Sequence, residues 1–474
     1  MKFLLLLICC ISWTANANFL ELSKQFFEKN IKVEQAYNNV LKADESIKIV
    51  ESLLSTQLNT EISYLDNNSD AANAVNFAAG KTTALKLNLS KSTSWGGVFS
   101  FNNSFEKVIQ DPSRIRIFGG DPEIHQFKQS LSFSTSLTRN LFGSEFDLNL
   151  NKSILNAEYV DSISKVSVNN LFLQFGMTYA QAILNKKLFS LQEEALKRAL
   201  KRLALVQRRV SDGINLKSDM YRAEAAKYIQ EEQLDLAKQD LNSSLLEMTN
   251  LLHRSIVPAD LGLISELNSV LDKMPKKNDE ILMSVDAQKK LSEQLELDRD
   301  LKNNGMLPDM NFSVSYQTND YDPNSSKVFD RGNLAGKKNT LTVGVNFNYN
   351  FGRVSERANL AQSEINYNQA LHQLSAETIS SSEKVSILKN NIELSLLNIG
   401  KAKKRVELSN AVITEYIKLF SLGKITLDQV IQAEEDLIAS ERNLARQMTR
   451  SFMLKLELIS LNNYFPELIE GEIE

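Results

Sequence analysis

Val210-Ser211-Asp212-Gly213 is followed ten residues on by Ala223-Glu224, and Phe420-Ser421-Leu422-Gly423 is followed ten residues on by Ala433-Glu434. The two stretches lie 210 residues apart. Upstream of each stands an alternating segment that ends alike: Ser136-Leu137-Thr138-Arg139-Asn140-Leu141-Phe142-Gly143 and Asn346-Phe347-Asn348-Tyr349-Asn350-Phe351-Gly352. Phe142 precedes Gly213 by 71 residues and Phe351 precedes Gly423 by 72. Agreement at both ends of so long a span points to a duplicated unit.

Between strand end and glycine, each copy carries a helical stripe. Ile392, Ile399, Val406, Ile413 and Phe420 fall seven apart, while Leu196, Ala199, Leu203, Val206 and Val210 step by three and four. Such spacing marks helix packed on helix. The pattern resumes beyond the glycines, at Leu234, Leu241, Leu245, Met248 and Leu252 and at Val430, Leu437 and Leu444. Each copy therefore reads as a long helical hairpin with its glycine at the tip, where a sharp exit from a helix favours positive φ. Thr426 and Gln429 form a candidate capping box, and Asn215 is a candidate cap in the first copy. An ascending arm of about 65 residues is on the order of 100 Å long at 1.5 Å per residue.

The segments before these arms read as strands. Asn311–Tyr316 and Leu341–Phe347 alternate apolar and polar residues around a connection, Asn319 to Lys338, rich in Asp, Asn, Gly and Ser. In the first copy Leu85–Leu89, Val98–Phe101 and Leu131–Ser134 alternate likewise, and Glu145–Asn151 prolongs the alternation past Gly143. Of these segments four are clear strands, too few to close a membrane barrel from one chain. A soluble sandwich has strands of the same pattern, so alternation alone leaves both open. The first β region is also longer than the second; an extra hairpin and an external loop such as Glu106 to Lys128 both account for it.

Met1 to Ala17 has a basic start, an apolar run from Leu4 to Trp13 and the small-x-small end Ala15-Asn16-Ala17, the pattern of a secretory leader. The expected organisation is a signal peptide over residues 1–17, a first repeat over 18–265 and a second over 266–474. Strands are expected at about 57–150 and 308–352, and tips at 213 and 423. Both cysteines, Cys9 and Cys10, lie in the leader, which leaves the mature chain without a thiol. The net charge of −4, or −5 without Lys2, gives no electrostatic reason for nucleic acid to bind. With only 17 glycines and 7 prolines the elements run long, and no later stretch is apolar enough for a transmembrane helix.

Nothing in the chain gathers catalytic or cofactor chemistry. His125, His253 and His372 are isolated, Ser386-Ile387-Leu388-Lys389 lacks the motifs that accompany Ser-x-x-Lys enzymes, and Glu434-Glu435 reads as a solvated helix face. No metal, cofactor or enzymatic activity is expected.

The layout resembles the TolC-like outer-membrane efflux protein family. The resemblance rests on the leader, the duplication, the strand ends Asn140-Leu141-Phe142 and Tyr349-Asn350-Phe351, and the glycine turn with Asp219 six and Ala223 ten residues on. It rests also on Leu307-Pro308-Asp309-Met310, which enters a strand after the helical run Asp279–Leu301. It covers essentially the whole mature chain.

The resemblance implies a mainly α fold with a membrane β-barrel part. Three copies would give four strands each to a twelve-stranded barrel in the outer membrane and their long helices to a periplasmic tunnel. The implied role is a passive exit duct of a tripartite efflux pump or type I secretion system, with a periplasmic adaptor, an inner-membrane transporter and outer-membrane lipid as partners. Docking would fall on Val210, Asp212, Gly213 and Ile214 at one tip and on Phe420, Leu422, Gly423, Lys424 and Ile425 at the other. Phe420 and Leu422 serve equally as a last packed layer.

In the family, polar links near the tips close the tunnel, and acidic residues past the second turn often ring the opening. Asp219 stands at the matching place in the first copy. In the second, the places six and nine past the glycine are Gln429 and Gln432, and Asp428 lies one residue, or about 100° of helix, from the first of them. These four are the candidate gate. The alternative reading of the chain is a periplasmic or surface coiled-coil scaffold.

Overall fold

The computed structural model describes residues 17–67, 80–110, 120–267, 271, 282–462 and 464–467, so the expected leader lies, but for Ala17, outside them. The helices are α1 (Ala17–Lys29), α2 (Ile31–Glu51), α3 (Ser144–Ser211), α4 (Lys217–Leu252), α5 (Met283–Asn304), α6 (Ser325–Gly332), α7 (Val354–Ser421) and α8 (Leu427–Asn462). The strands are β1 (Thr56–Asn67), β2 (Gly80–Ser92), β3 (Gly97–Gln110), β4 (Glu123–Ser136), β5 (Asp309–Asp322) and β6 (Asn339–Asn348). Two pairs of helices have equal lengths, 68 residues for α3 and α7 and 36 for α4 and α8. The two arms of the duplication are thus the same in length as well as in position.

The chain divides into two compact units. One comprises residues 41–159 and 289–373 and is organised around a single antiparallel sheet in the order β1-β2-β3-β4-β5-β6. The observed sheet has six strands where the sequence showed four clear ones. The choice left open for the longer first β region falls to an extra hairpin, because the first copy contributes β1 to β4. Moving β5 and β6 back by the repeat offset lands on β3 and β4, so the hairpin added to the duplicated pattern is β1–β2.

Two expectations here are corrected. Glu145–Asn151 is the start of α3, not strand. The Oδ1 of Asn140 accepts hydrogen bonds from the backbone N–H groups of Glu145 and Phe146, and Glu145 and Asp147 place negative charge in the first turn. Cap and dipole together outweigh a short run of alternation. The Asn319–Lys338 connection is not all loop: β5 runs on to Asp322 and α6 follows, capped by Asn324, whose Oδ1 accepts from Ser326 N at 2.9 Å. Val328 of α6 is buried, and the Phe329 ring lies 5.0 Å from Phe105 and 4.7 Å from Phe127.

The other unit, residues 1–40, 160–288 and 374–474, is helical. At its centre Phe19, Phe26, Phe172, Phe175, Tyr179, Phe452 and Phe465 pack ring on ring, bringing α1, α3 and the end of the chain into one core. Asn169 ties the same elements together: its Nδ2 donates to Ser460 O and its Oδ1 accepts from Phe465 N. Among the described residues no helix is long and apolar enough to cross a membrane.

Candidate conduit and helical tips

Pairing in the sheet sorts its side chains onto two unlike faces. Opposite Leu85 stand Ile62 on β1 and Phe105 on β3; opposite Phe133 stand Phe99 on β3 and Val314 on β5; opposite Val343 stands Val314. Because side chains alternate along a strand, these residues share one face with Leu58, Leu89, Phe101, Leu131, Tyr316 and Leu341. That face is apolar on all six strands, with Asn103, Gln129, Thr318 and Asp320 as polar positions toward α6. Ile62 is 77% exposed and Val343 59% exposed, with Leu58, Leu341, Val345 and Phe347 exposed beside them. The opposite face carries Ser100, Asn102 and Ser104 of β3, Ser130, Ser132 and Ser134 of β4, and Ser313, Ser315 and Gln317 of β5. Asn102 Nδ2 donates to Ser130 Oγ there.

Aromatic rings gather at the end of the sheet where the chain passes into helix. Trp95, Phe99 and Phe133 pack together, as do Phe347, Tyr349 and Phe351, while Phe142 and Phe351 project outward. An apolar band bounded by aromatic rings, backed by a polar face, is the two-sided pattern a membrane barrel needs.

In the helical unit both glycine turns have the same geometry. Gly213 has φ of 73° and Gly423 has φ of 71°. In the first turn Ile214 N donates to Arg209 O at 2.8 Å and Gly213 N to Val210 O at 3.1 Å; in the second Lys424 N donates to Leu419 O at 3.0 Å and Gly423 N to Phe420 O at 2.9 Å. These are Schellman turns, which satisfy the last carbonyls of a helix at the cost of one left-handed residue. Thr426 and Gln429 make the expected capping box, with Thr426 N donating to Gln429 Oε1 at 3.0 Å and Gln429 N to Thr426 Oγ1 at 3.4 Å.

The tips are bound to each other. Arg209 donates through Nη1 to Phe420 O and Ser421 O, each at 3.0 Å, and through Nε to Asn215 Oδ1 at 2.7 Å. Its guanidinium also sits 5.0 Å from the centre of the Phe420 ring. A cation thus meets the carbonyl end of α7, where the helix dipole favours positive charge. Arg222 reaches Asp428 across the two hairpins at 2.7 Å. Below this lie Val206, Ala223, Ile413, Phe420, Leu427, Val430, Ala433 and Leu437 in one packed cluster, with Val210, Met220 and Ile425 against it. Deeper still, Arg202 and Glu434 form a buried ion pair; burial pushes the Arg202 guanidinium down to about 10, opposed by the charge of Glu435.

The expected docking residues therefore separate. Ile214 and Leu422 are exposed at 63% and 60%, and Asp212, Gly213, Gly423 and Lys424 are also open to solvent. Phe420 is buried, Val210 and Ile425 are half-buried against the same core, and these three hold the tip instead of presenting it. Asn215 does not cap α4, whose N-cap is Leu216; it bridges Arg209 to Asp219 by donating from Nδ2 to Asp219 Oδ2 at 3.1 Å. Of the candidate gate residues, Asp219 and Asp428 join side-chain links near the tips, whereas Gln429 is taken up by its own cap and Gln432 by Asp436. Glu434, expected on a solvated face, is buried against Arg202. Sequence reasoning missed Arg209 and Arg222; for Arg209 a basic residue in the last turn of a helix was the available signal.

The fold is that of solved outer-membrane channel proteins. The chain is similar to the outer membrane protein VceC of Vibrio cholerae, with a TM-score of 0.67, 14% identity, and coverage of 96% of this chain and 100% of that one. It is similar also to the CmeC outer membrane channel of Campylobacter jejuni (TM-score 0.65, 12% identity, 96% and 88% covered) and to the open state of the MtrE outer membrane channel of Neisseria gonorrhoeae (0.66, 13%, 96% and 94%). No protein-family model matches the chain, and no curated protein matches it in sequence.

Proposed function

We propose that this protein is a TolC-like outer-membrane exit duct, a passive conduit from periplasm to exterior that serves a tripartite efflux pump or type I secretion system. The observation that carries this reading is the two-faced sheet, apolar on one side and lined with Ser, Asn and Gln on the other, in a chain whose fold is that of outer-membrane channels. A coiled-coil scaffold has no use for such a sheet. Three copies assemble with the apolar face toward outer-membrane lipid, and the helical tips lie in the periplasm.

The exposed parts of the tips, Asp212 to Ile214 and Leu422 to Lys424, meet a periplasmic adaptor that stands beside an inner-membrane transporter. Short turns on rigid helices present backbone and a few side chains to a partner at small entropic cost. The links Arg209–Phe420 and Arg222–Asp428 hold the two hairpins of a subunit together, Asn215–Asp219 braces the first tip beneath Arg209, and together they act as the latch of the periplasmic entrance. In planar bilayers the purified protein is expected to form passive pores, and Asp219→Ala to raise single-channel conductance. Absence of any pore from protein recovered in outer-membrane fractions refutes the duct; wild-type conductance in Asp219→Ala refutes its part in the latch.

A further inference from the structure

The sheet ends on two open edges. β1 pairs with β2 and β6 with β5, and among the described residues the outer backbone edge of each has no partner strand in the sheet. Water satisfies such an edge in a soluble protein, but lipid offers no hydrogen bonds, so membrane-spanning strands must close on themselves. Neither edge is blunted. β6 (Asn339–Asn348) contains no charge and no proline, and β1 contains only Glu61 and Asp66.

The two edges fit each other. Copies inserted with the same orientation are related by rotation about the membrane normal, which brings β6 of one beside β1 of the next and never β1 beside β1. An even number of antiparallel strands makes β1 and β6 opposite in direction, so that junction is itself antiparallel. Both strands are apolar on the same sheet face and polar on the other: Leu58 and Ile62 share theirs with Val343 and Val345, and Asn59 and Ser63 share theirs with Thr342 and Asn346. Joining them in register continues both faces across the seam.

The added hairpin is also seated at the helical end of the sheet. A Cβ built on Gly143 would lie 1.8 Å from Ser94 O in the β2–β3 turn, and one on Gly96 would lie 2.4 Å from Asn140 O. Gly352, the counterpart of Gly143 in the second copy, has nothing within 4 Å. The turn joining the added hairpin to the sheet is packed in place, which holds β1–β2 as part of the sheet.

Taking the trimeric duct proposed above as given, we propose that β6 of each copy pairs with β1 of the next, so that three copies close an eighteen-stranded barrel instead of a twelve-stranded one. With strands about 4.8 Å apart and tilted about 40°, twelve strands give a backbone radius of about 12 Å and eighteen about 18 Å, roughly doubling the cross-section. The outer pore then admits solutes that a twelve-stranded barrel of the same build excludes.

The test is disulfide cross-linking in outer membranes, combined with native mass measurement of the wild-type complex. The only cysteines lie at positions 9 and 10, so introduced pairs report alone once the leader is removed. Asn59→Cys and Ser63→Cys on β1 and Ser100→Cys and Ser104→Cys on β3 are each combined with Thr342→Cys or Asn346→Cys on β6. The expected result is dimer and trimer bands from β1–β6 pairs and none from β3–β6 pairs, with three copies by mass. The wild-type pore should also admit polymers of about 1.5-fold larger radius than a twelve-stranded pore does. Cross-links between β3 and β6 in a three-copy complex, or β1–β6 cross-links in a complex of any other copy number, overturn the eighteen-stranded barrel and leave the duct standing. A monomer with no intermolecular cross-link overturns both.

Discussion

Removing the Arg209 side chain should loosen the second tip from a distance of two hairpins. Arg209→Ala deletes two hydrogen bonds to the terminal carbonyls of α7, one to Asn215, and the stacking of the guanidinium over Phe420. Arg209 is half-buried, so water replaces part of what is lost. Each carbonyl bond contributes about 1 kcal/mol net, the charge at the helix end about 0.5 kcal/mol, and the cation–π contact about 0.5 kcal/mol. Because these share one side chain they do not simply add, and a total of about 2 to 3 kcal/mol is expected.

The loss falls on the local opening of the turn. By the tenfold-per-1.4 kcal/mol relation, amide hydrogen exchange at Gly423 and Lys424 should speed up roughly 30- to 150-fold. Those two amides donate to Phe420 O and Leu419 O in the same turn. Arg209→Lys keeps the charge but not the planar fork, and should recover less than half of the protection. A change of less than about threefold at the two amides, or an equal loss along the middle of α7, would show that the clamp does not hold the tip.

Other expectations follow from the same unit. Gly213→Ala and Gly423→Ala should each cost about 1 kcal/mol from positive φ alone, since a Cβ at Gly213 meets nothing within 4 Å and one at Gly423 only a side-chain nitrogen of Arg209 at 3.9 Å; asparagine at either place should cost less, as read by local hydrogen exchange. Glu434→Ala leaves Arg202 buried without its partner and should destabilise by about 3 kcal/mol, whereas Arg202→Met combined with Glu434→Met should come close to wild type in thermal melts followed by circular dichroism. Glu441 has a buried, unpartnered carboxylate oxygen, and burial raises its pKa. A raised pKa means the ionised form is penalised in the folded state above that pKa. Glu441→Gln should therefore raise the melting temperature at neutral pH, and the gain should vanish as pH falls below the ordinary carboxylate range.

How much of this was legible beforehand varies with the physics of each feature. The helical hairpins were, because heptad stripes and a glycine with positive φ are local signals, and both Schellman turns and the Thr426–Gln429 box stand where the residues placed them. The strands were half legible. β1 alternates as its neighbours do, but Thr60 and Tyr64 dilute its apolar face, and Glu145–Asn151 alternates just as well while folding as helix. Alternation reports a period, and only the Asn140 cap decided which structure took it.

The sequence by itself determined the length of the long helices and the position of the two glycine turns, since each depends on spacing along the chain. Tertiary structure alone decided which residues meet. It placed Phe420 in the core and Leu422 in solvent, set Arg209 on the end of a helix 211 residues away, and buried Glu434 where a solvated face was expected. It also decided the width of the sheet, because strand number depends on which hydrogen-bonding edges find partners across the chain. The two glycines are alike in sequence and in backbone; what distinguishes their tips is the side chains the fold brings to them.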